Sequence, residues 1–332
     1  MSFKKLYFLL ALFFVQFAVA QEGIPVYWDY LQDNLYLLHP SMAGASKTGK
    51  IRLTARSQWA GVNNAPALQT LNVNSRVGEK IGVGGILYND RNGYFSQQGA
   101  FATFAYHLLL SRNYTDLNQL SFGISGGIVQ GKLDETAFGP TNDPIITGGI
   151  LSDAYFNVDF GMSYNFLDFS AHFTVKNAIP AKRDIFSEDL EPNNQRRYIV
   201  SLGYVISPIV SAWSFEPSVL FQATERTGEA AIDGNLKAYY KTDWGRLWGG
   251  LSYRRNLDGG EFSSNGETIN LQKTQFFTPF IGGSYNEFLV GYTYSYQAND
   301  TVLTTGGFHQ ITLGYNFGET RAPYDCNCPA IN

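Results

Sequence analysis

The feature that most limits the fold is a two-residue rhythm recurring from Ile51 to Phe317. Phe288, Val290, Tyr292, Tyr294 and Tyr296 fall on one face of an extended segment, and Leu289, Gly291, Thr293, Ser295 and Gln297 on the other. Ile311, Leu313, Tyr315 and Phe317 oppose Gln310, Thr312, Gly314 and Asn316 in the same way. Trp213, Phe215, Val219, Phe221 and Ala223 oppose Ser214, Glu216, Ser218, Gln222 and Thr224. Ile232, Leu236, Ala238 and Tyr240 oppose Asp233, Asn235, Lys237, Tyr239 and Lys241. Period two separates residues onto the two sides of a strand, so each segment carries one apolar and one polar face.

Continued along the chain, the rhythm predicts strands near 51–59, 67–77, 80–90, 96–110, 117–131, 154–165, 167–176, 196–208, 211–224, 230–242, 245–255, 273–284, 287–297 and 307–317. That is about fourteen strands, mostly long enough to cross a hydrocarbon layer at a tilt, which takes about 9–11 residues. Connections after even-numbered strands are short, whereas 132–153, 177–195 and 256–272 are long. Short turns on one side and long loops on the other mark an outer-membrane barrel. The expected fold is therefore all-β: a transmembrane antiparallel up-and-down β-barrel with short periplasmic N- and C-terminal extensions. A sheet in lipid must close so that every backbone polar group is paired. Apolar faces then meet lipid, and Arg52, Arg56, Arg76, His172, Lys176, Glu216, Lys237 and Lys241 point inward. Trp59, Trp213, Trp244 and strand-end tyrosines are candidates for interfacial girdles.

Composition agrees. Charged residues make up only 16% of the chain while aromatics reach 15%, which excludes a disordered chain. The net charge of −4 and the absence of a basic run argue against nucleic-acid binding. The first twenty residues read as an export signal: Lys4 and Lys5, an apolar stretch from Leu6 to Val19, then Ala18-Val19-Ala20. Cleavage is expected between Ala20 and Gln21, followed by insertion into the outer membrane of a Gram-negative bacterium after Sec-type export. The expected organisation is a signal peptide at 1–20, a periplasmic N-terminal extension at 21–50, the barrel at 51–317 and a periplasmic tail at 318–332.

In the extension, Tyr27, Leu31, Leu35 and Leu38 have helical spacing that Pro40 stops. Two readings stand together: a short helix closing the periplasmic mouth or entering the lumen, and a loosely ordered leader. The tail holds the two cysteines, Cys326 and Cys328. A disulfide, a mixed disulfide with a partner and an incidental role are all compatible with their spacing in an oxidising compartment.

Residue chemistry points away from catalysis. The four histidines, His39, His107, His172 and His309, lack metal-ligand spacing. Ser170 and His172 share a face, but it is the lumenal one, unsuited to an esterase working on lipid. Glycines such as Gly82, Gly84, Gly85, Gly123, Gly126 and Gly127 sit inside strands and are read as sites of curvature or close lumenal packing. No enzyme activity, cofactor or metal is expected.

Three stretches resemble one family. Gln32-Asp33-Asn34…His39-Pro40-Ser41-Met42-Ala43-Gly44 is similar to an Asn-Pro-Ala-x-x-Gly segment, with His39 and Ser41 at the differing positions. Arg56-Ser57-Gln58-Trp59-Ala60-Gly61…Ala65-Pro66 is similar to an Arg-x-Gln-Trp pattern before a proline-containing loop. Gly82-Val83-Gly84-Gly85…Asn89-Asp90-Arg91…Gly93 resembles a glycine-rich hairpin. The family is PorP/SprF, outer-membrane proteins of the type IX secretion and gliding-motility apparatus. The resemblance implies a non-enzymatic barrel that supports export and surface anchoring of an adhesin-like cargo protein with a C-terminal secretion domain. It also implies contact with periplasmic and outer-membrane components of that apparatus. Loops 132–153, 177–195 and 256–272 are the expected cargo surfaces, and 21–50 and 318–332 the expected machinery contacts. A general or selective porin or transporter is the alternative.

Overall fold

The computed structural model describes residues 32–58, 65–111, 116–136, 138, 146, 148–181, 185, 195–208, 210–264, 268–298 and 307–319. Ala20, Gln21, Cys326, Cys328, Trp59 and most of loop 177–195 lie outside the described residues.

Fourteen antiparallel strands close into one barrel. The first eight are β1 (Thr48–Gln58), β2 (Ala67–Arg76), β3 (Ile81–Asn92), β4 (Phe95–Leu109), β5 (Asn118–Asp134), β6 (Ile150–Phe166), β7 (Phe169–Lys176) and β8 (Arg197–Tyr204). Then follow β9 (Trp213–Thr224), β10 (Ala230–Lys241) and β11 (Gly245–Asn256). After a two-stranded hairpin of β12 (Gly260–Ser264) and β13 (Thr268–Gln272), the wall resumes with β14 (Gln275–Tyr285), β15 (Phe288–Gln297) and β16 (Phe308–Glu319). Each wall strand pairs with its neighbours in sequence, and β16 returns to β1 with Leu53 opposite Leu313 and Arg56 opposite Gln310. No edge of the wall is left unpaired, which is the condition for a sheet in lipid.

The alternation sets the two surfaces. On β16, Ile311, Leu313 and Tyr315 are exposed, while Gln310 and Thr312 are buried. On β15, Phe288, Val290, Tyr292 and Tyr296 face out, and Thr293 and Ser295 face in. Arg52, Arg56, Arg76, His172, Lys176, Glu216 and Lys237 are all buried on the lumenal side. Lys241 differs: at the last position of β10 it is exposed, because the strand ends at the rim. Trp213 packs against Tyr240 at 4.8 Å, Trp244 against Tyr285 at 6.2 Å, and Phe288 against Tyr315 at 5.1 Å. These pairs form an aromatic belt at the short-turn end, the side expected to face the periplasm.

Three features refine the sequence-based expectation. Loop 256–272 contains the β12–β13 hairpin. β5 and β6 run on together to Asp134 opposite Ile150, which shortens loop 132–153. Where the sequence leaves a short helix and a loosely ordered leader both open, the described residues around Pro40 form two 3-10 turns, Gln32–Leu37 and Pro40–Met42. Asn34 is non-helical at φ −147° and ψ 53°, and His39 is extended, so packing against the wall overrides local propensity.

Candidate functional site

Residues 34–45 lie inside the barrel. Tyr36, Leu37, Leu38, His39, Ser41, Met42 and Ala43 are buried, with Leu37, His39, Ser41 and Ala43 fully so. A buried irregular backbone needs partners for its polar groups, and wall side chains supply them. The His107 Nε2 lies 3.0 Å from the Ala43 carbonyl. The Gly44 N–H donates to Asn74 Oδ1 at 3.1 Å. Arg76 donates through Nε to the Gly44 carbonyl at 2.9 Å and through Nη2 to Gln119 at 2.8 Å. Lys176 Nζ donates to the Leu37 carbonyl at 3.1 Å while paired with Asp159 at 2.9 Å.

The segment's side chains bond outward in turn. Tyr36 donates to Thr103 Oγ1 at 2.7 Å, and Thr103 shares a hydrogen bond with Ser125. His39 sits between Thr174 (Nδ1, 2.8 Å) and Ser201 (Nε2, 3.1 Å), with its ring stacked on His172 at 4.9 Å. Ser41 and Ser163 share a 2.6 Å hydrogen bond, and His172 Nδ1 lies 2.7 Å from Ser163. Burial first, then the nearby His172 and Lys176, holds His39 well below the ordinary histidine pKa, so its ring is neutral.

Close backbone approach makes the fit possible. A Cβ on Gly82 would overlap the Ala43 carbonyl, one on Gly84 the Tyr36 hydroxyl, and one on Gly123 the Pro40–Ser41 peptide. Gly44 has φ +64°, a left-handed turn that sends the chain from the lumen toward β1. Apolar contacts complete the dock: Tyr36, Leu37, Met42 and Ala43 pack with Ile86, Ala105, Leu117 and Val205, and Leu38 packs with Ile199.

The segment rests mainly on the wall from β2 to β8. Across the lumen, Lys237 lies over the Tyr239 and Trp248 rings at 4.8 and 5.1 Å. Tyr239 donates to Glu216, and Arg254 pairs with Asp233. A cavity of about 70 Å³ lies between Leu37 and the wall residues Leu68, Ile86, Phe101 and Val129, bounded on its polar side by Asn157, Asp159 and Lys176.

Ser170 and His172 do lie on one lumenal face, but His172 engages Ser163 and stacks on His39, while Ser170 contacts the Gly203 carbonyl at 3.5 Å. His107 and Gly82 are wall residues, as their strand positions imply, but only the structure shows that both receive the same carbonyl. The sequence holds a partial signal for this: strand-interior glycines such as Gly82, Gly84 and Gly123 mark places of close approach, although not what approaches them.

A family model described as the type IX secretion system membrane protein PorP/SprF matches residues 19–315. No curated protein matches significantly. Among solved structures, the deltaS2 mutant of the TodX monoaromatic hydrocarbon channel aligns with a TM-score of 0.50 at 11% identity, covering 86% of this chain and 94% of that one. A Pseudomonas aeruginosa FadL homologue aligns with a TM-score of 0.50 at 11% identity, covering 84% and 93%. At such identity the likeness concerns the barrel fold alone.

Proposed function

The chain belongs to the PorP/SprF family of type IX secretion system membrane proteins, and on that premise we propose that this outer-membrane barrel is a non-enzymatic partner of export that holds an adhesin-like cargo protein at the cell surface. The observation that carries the reading is the docked segment: residues 34–45 are bonded to the lumenal wall through His107, Asn74, Arg76 and Lys176. A barrel partly filled by its own chain is better suited to presenting surfaces than to free diffusion. Loops 132–153, 177–195 and 256–272 are the proposed cargo contacts. Because residues 34–45 face the wall, the proposed machinery contact within 21–50 narrows to the stretch before them, together with 318–332.

The test is cross-linking in intact cells followed by mild-detergent affinity purification and mass spectrometry. A large surface protein carrying a C-terminal secretion domain is expected with the intact barrel. It should be lost when 258–271 is replaced by a short turn. Recovery of periplasmic machinery without cargo, or of cargo unchanged by the loop replacement, contradicts the reading. The second reading, a porin or transporter, is favoured by the small apolar-walled cavity beside Leu37. It requires steady conductance or solute flux from the purified barrel without any partner.

A further inference from the structure

On the outer wall, the side chains of β2 to β5 change character abruptly near the long-loop end. One row across the strands is apolar: Leu71 pairs with Leu87, Leu87 with Ala100, and Ala100 with Ile128. The next row outward is made of amides: Gln69 pairs with Asn89, Asn89 with Gln98, and Gln98 with Gln130. All four amides are exposed on the outer surface, and Gln98 donates to Asn89 at 3.2 Å. One row further out, Arg91 pairs with Ser96 and Ser96 with Lys132, so two exposed cations flank a serine. Asp134, the next outward residue on β5, is turned onto the Thr136 N–H and hydroxyl.

A hollow of about 570 Å³ runs across the apolar and amide rows and stops short of Arg91, Ser96 and Lys132. It exists because Ala100 stands between the larger Leu87 and Ile128 and leaves a gap in the lipid-facing surface. The hollow thus has an apolar floor and a rim of hydrogen-bonding amides, with two cations one row beyond the rim. Each layer matches one part of an amphiphile, and cations at the membrane surface attract anionic headgroups.

We propose that this face is a binding site for a phosphorylated glycolipid of the outer leaflet. An acyl chain lies over Ala100 between Leu87 and Ile128. The amides of Gln69, Asn89, Gln98 and Gln130 bond the sugar hydroxyls, and Arg91 and Lys132 hold the phosphate. This site is independent of the export reading and uses no residue of the docked lumenal segment.

The test uses the full-length barrel in mild detergent, with purified lipopolysaccharide, its dephosphorylated form and a zwitterionic phospholipid as probes. Lipopolysaccharide should bind saturably and weaken with salt. Arg91→Glu combined with Lys132→Glu should reduce affinity at least tenfold, to the level of the dephosphorylated probe. Ala100→Trp, which fills the hollow, should reduce it with the cations intact. Lys80→Glu, at the opposite rim, should leave it unchanged. Heat-modifiable migration identifies any variant that fails to close; such a variant is replaced by the milder Gln98→Ala with Gln130→Ala, which should also weaken binding. Equal binding of the two lipopolysaccharide forms, or variants that bind as tightly as the parent, would overturn the proposal. So would a photoreactive residue at position 98 that captures a protein in cells instead of a glycolipid.

Discussion

Replacing Gly82 with valine places a branched side chain where the docked segment passes. The Cβ alone would overlap the Ala43 carbonyl and lie 2.7 Å from His107 Nε2. The segment must withdraw by more than a bond length, and several interactions go together. The His107–Ala43 and Gly44–Asn74 hydrogen bonds are worth about 1 kcal/mol each, and the charge-assisted contact of Arg76 with Gly44 about 1.5–3 kcal/mol. The total is about 4 kcal/mol, or close to a thousandfold in the ratio of docked to undocked forms at 1.4 kcal/mol per factor of ten. Ala45, buried in the docked state, is a reporter. With Cys326 and Cys328 changed to serine and Ala45→Cys introduced, labelling by a charged thiol reagent tracks the undocked population when opening is fast. Gly82→Val should raise the labelling rate by two to three orders of magnitude while the barrel remains heat-modifiable. An intact barrel with labelling within a few-fold of the parent would refute the claim that the glycines of β3 admit this segment.

Acid should loosen the same dock. His39 is held neutral with a pKa well below 6.5, so the undocked form binds its proton at higher pH. Docking stability from this group is complete above about pH 6.5 and falls by up to about 1.4 kcal/mol per unit below it. Hydrogen exchange of residues 36–43, corrected for intrinsic rates, should show this loss; docking that strengthens in acid would contradict it. Asp159→Asn should cost about 3–5 kcal/mol in barrel stability, because it leaves Lys176 buried without its counter-charge. Lys176→Met with Asp159→Leu should cost less than either single change, measured by denaturant unfolding in a double-mutant cycle; additive losses would contradict the pairing. His39→Leu should weaken docking by about 2 kcal/mol, since Thr174 and Ser201 lose their partner, as read by Ala45→Cys labelling.

The wall is legible in the sequence because lipid and lumen impose opposite chemistry on alternate residues. Phe288 to Gln297 and Phe308 to Phe317 show their two faces without further information. The Pro40 segment is not legible in the same way. Its conformation is set by contacts with His107, Arg76 and Thr174, which are 60 or more residues distant except for Arg76 at 32. Leu31, Leu35 and Leu38 carry a helical spacing, yet the backbone around Leu35 and Leu38 follows the wall. The β12–β13 hairpin, unlike the docked segment, has a local signal: Asn265-Gly266, a pair favoured in tight hairpin turns, lies between its strands. Strand-interior glycines are recognisable as close-packing sites, but which of them face the lumen follows only from the register. Gly82, Gly84 and Gly123 meet the docked segment, while Gly85 and Gly126 meet outward side chains such as Val73 and Phe156.

The molecule is a closed sheet with one face in lipid and part of its lumen filled by the chain's own leader. Nitroxide scanning of residues 36–45 and 308–317 in bilayers, read with oxygen and with a water-soluble relaxation agent, tests both halves of that description at once. Oxygen accessibility should alternate with period two along β16, high at Ile311, Leu313 and Tyr315, and exposure to both agents should be low throughout 36–45. A period near 3.6 along 308–317, or strong aqueous accessibility across 36–45, would contradict it.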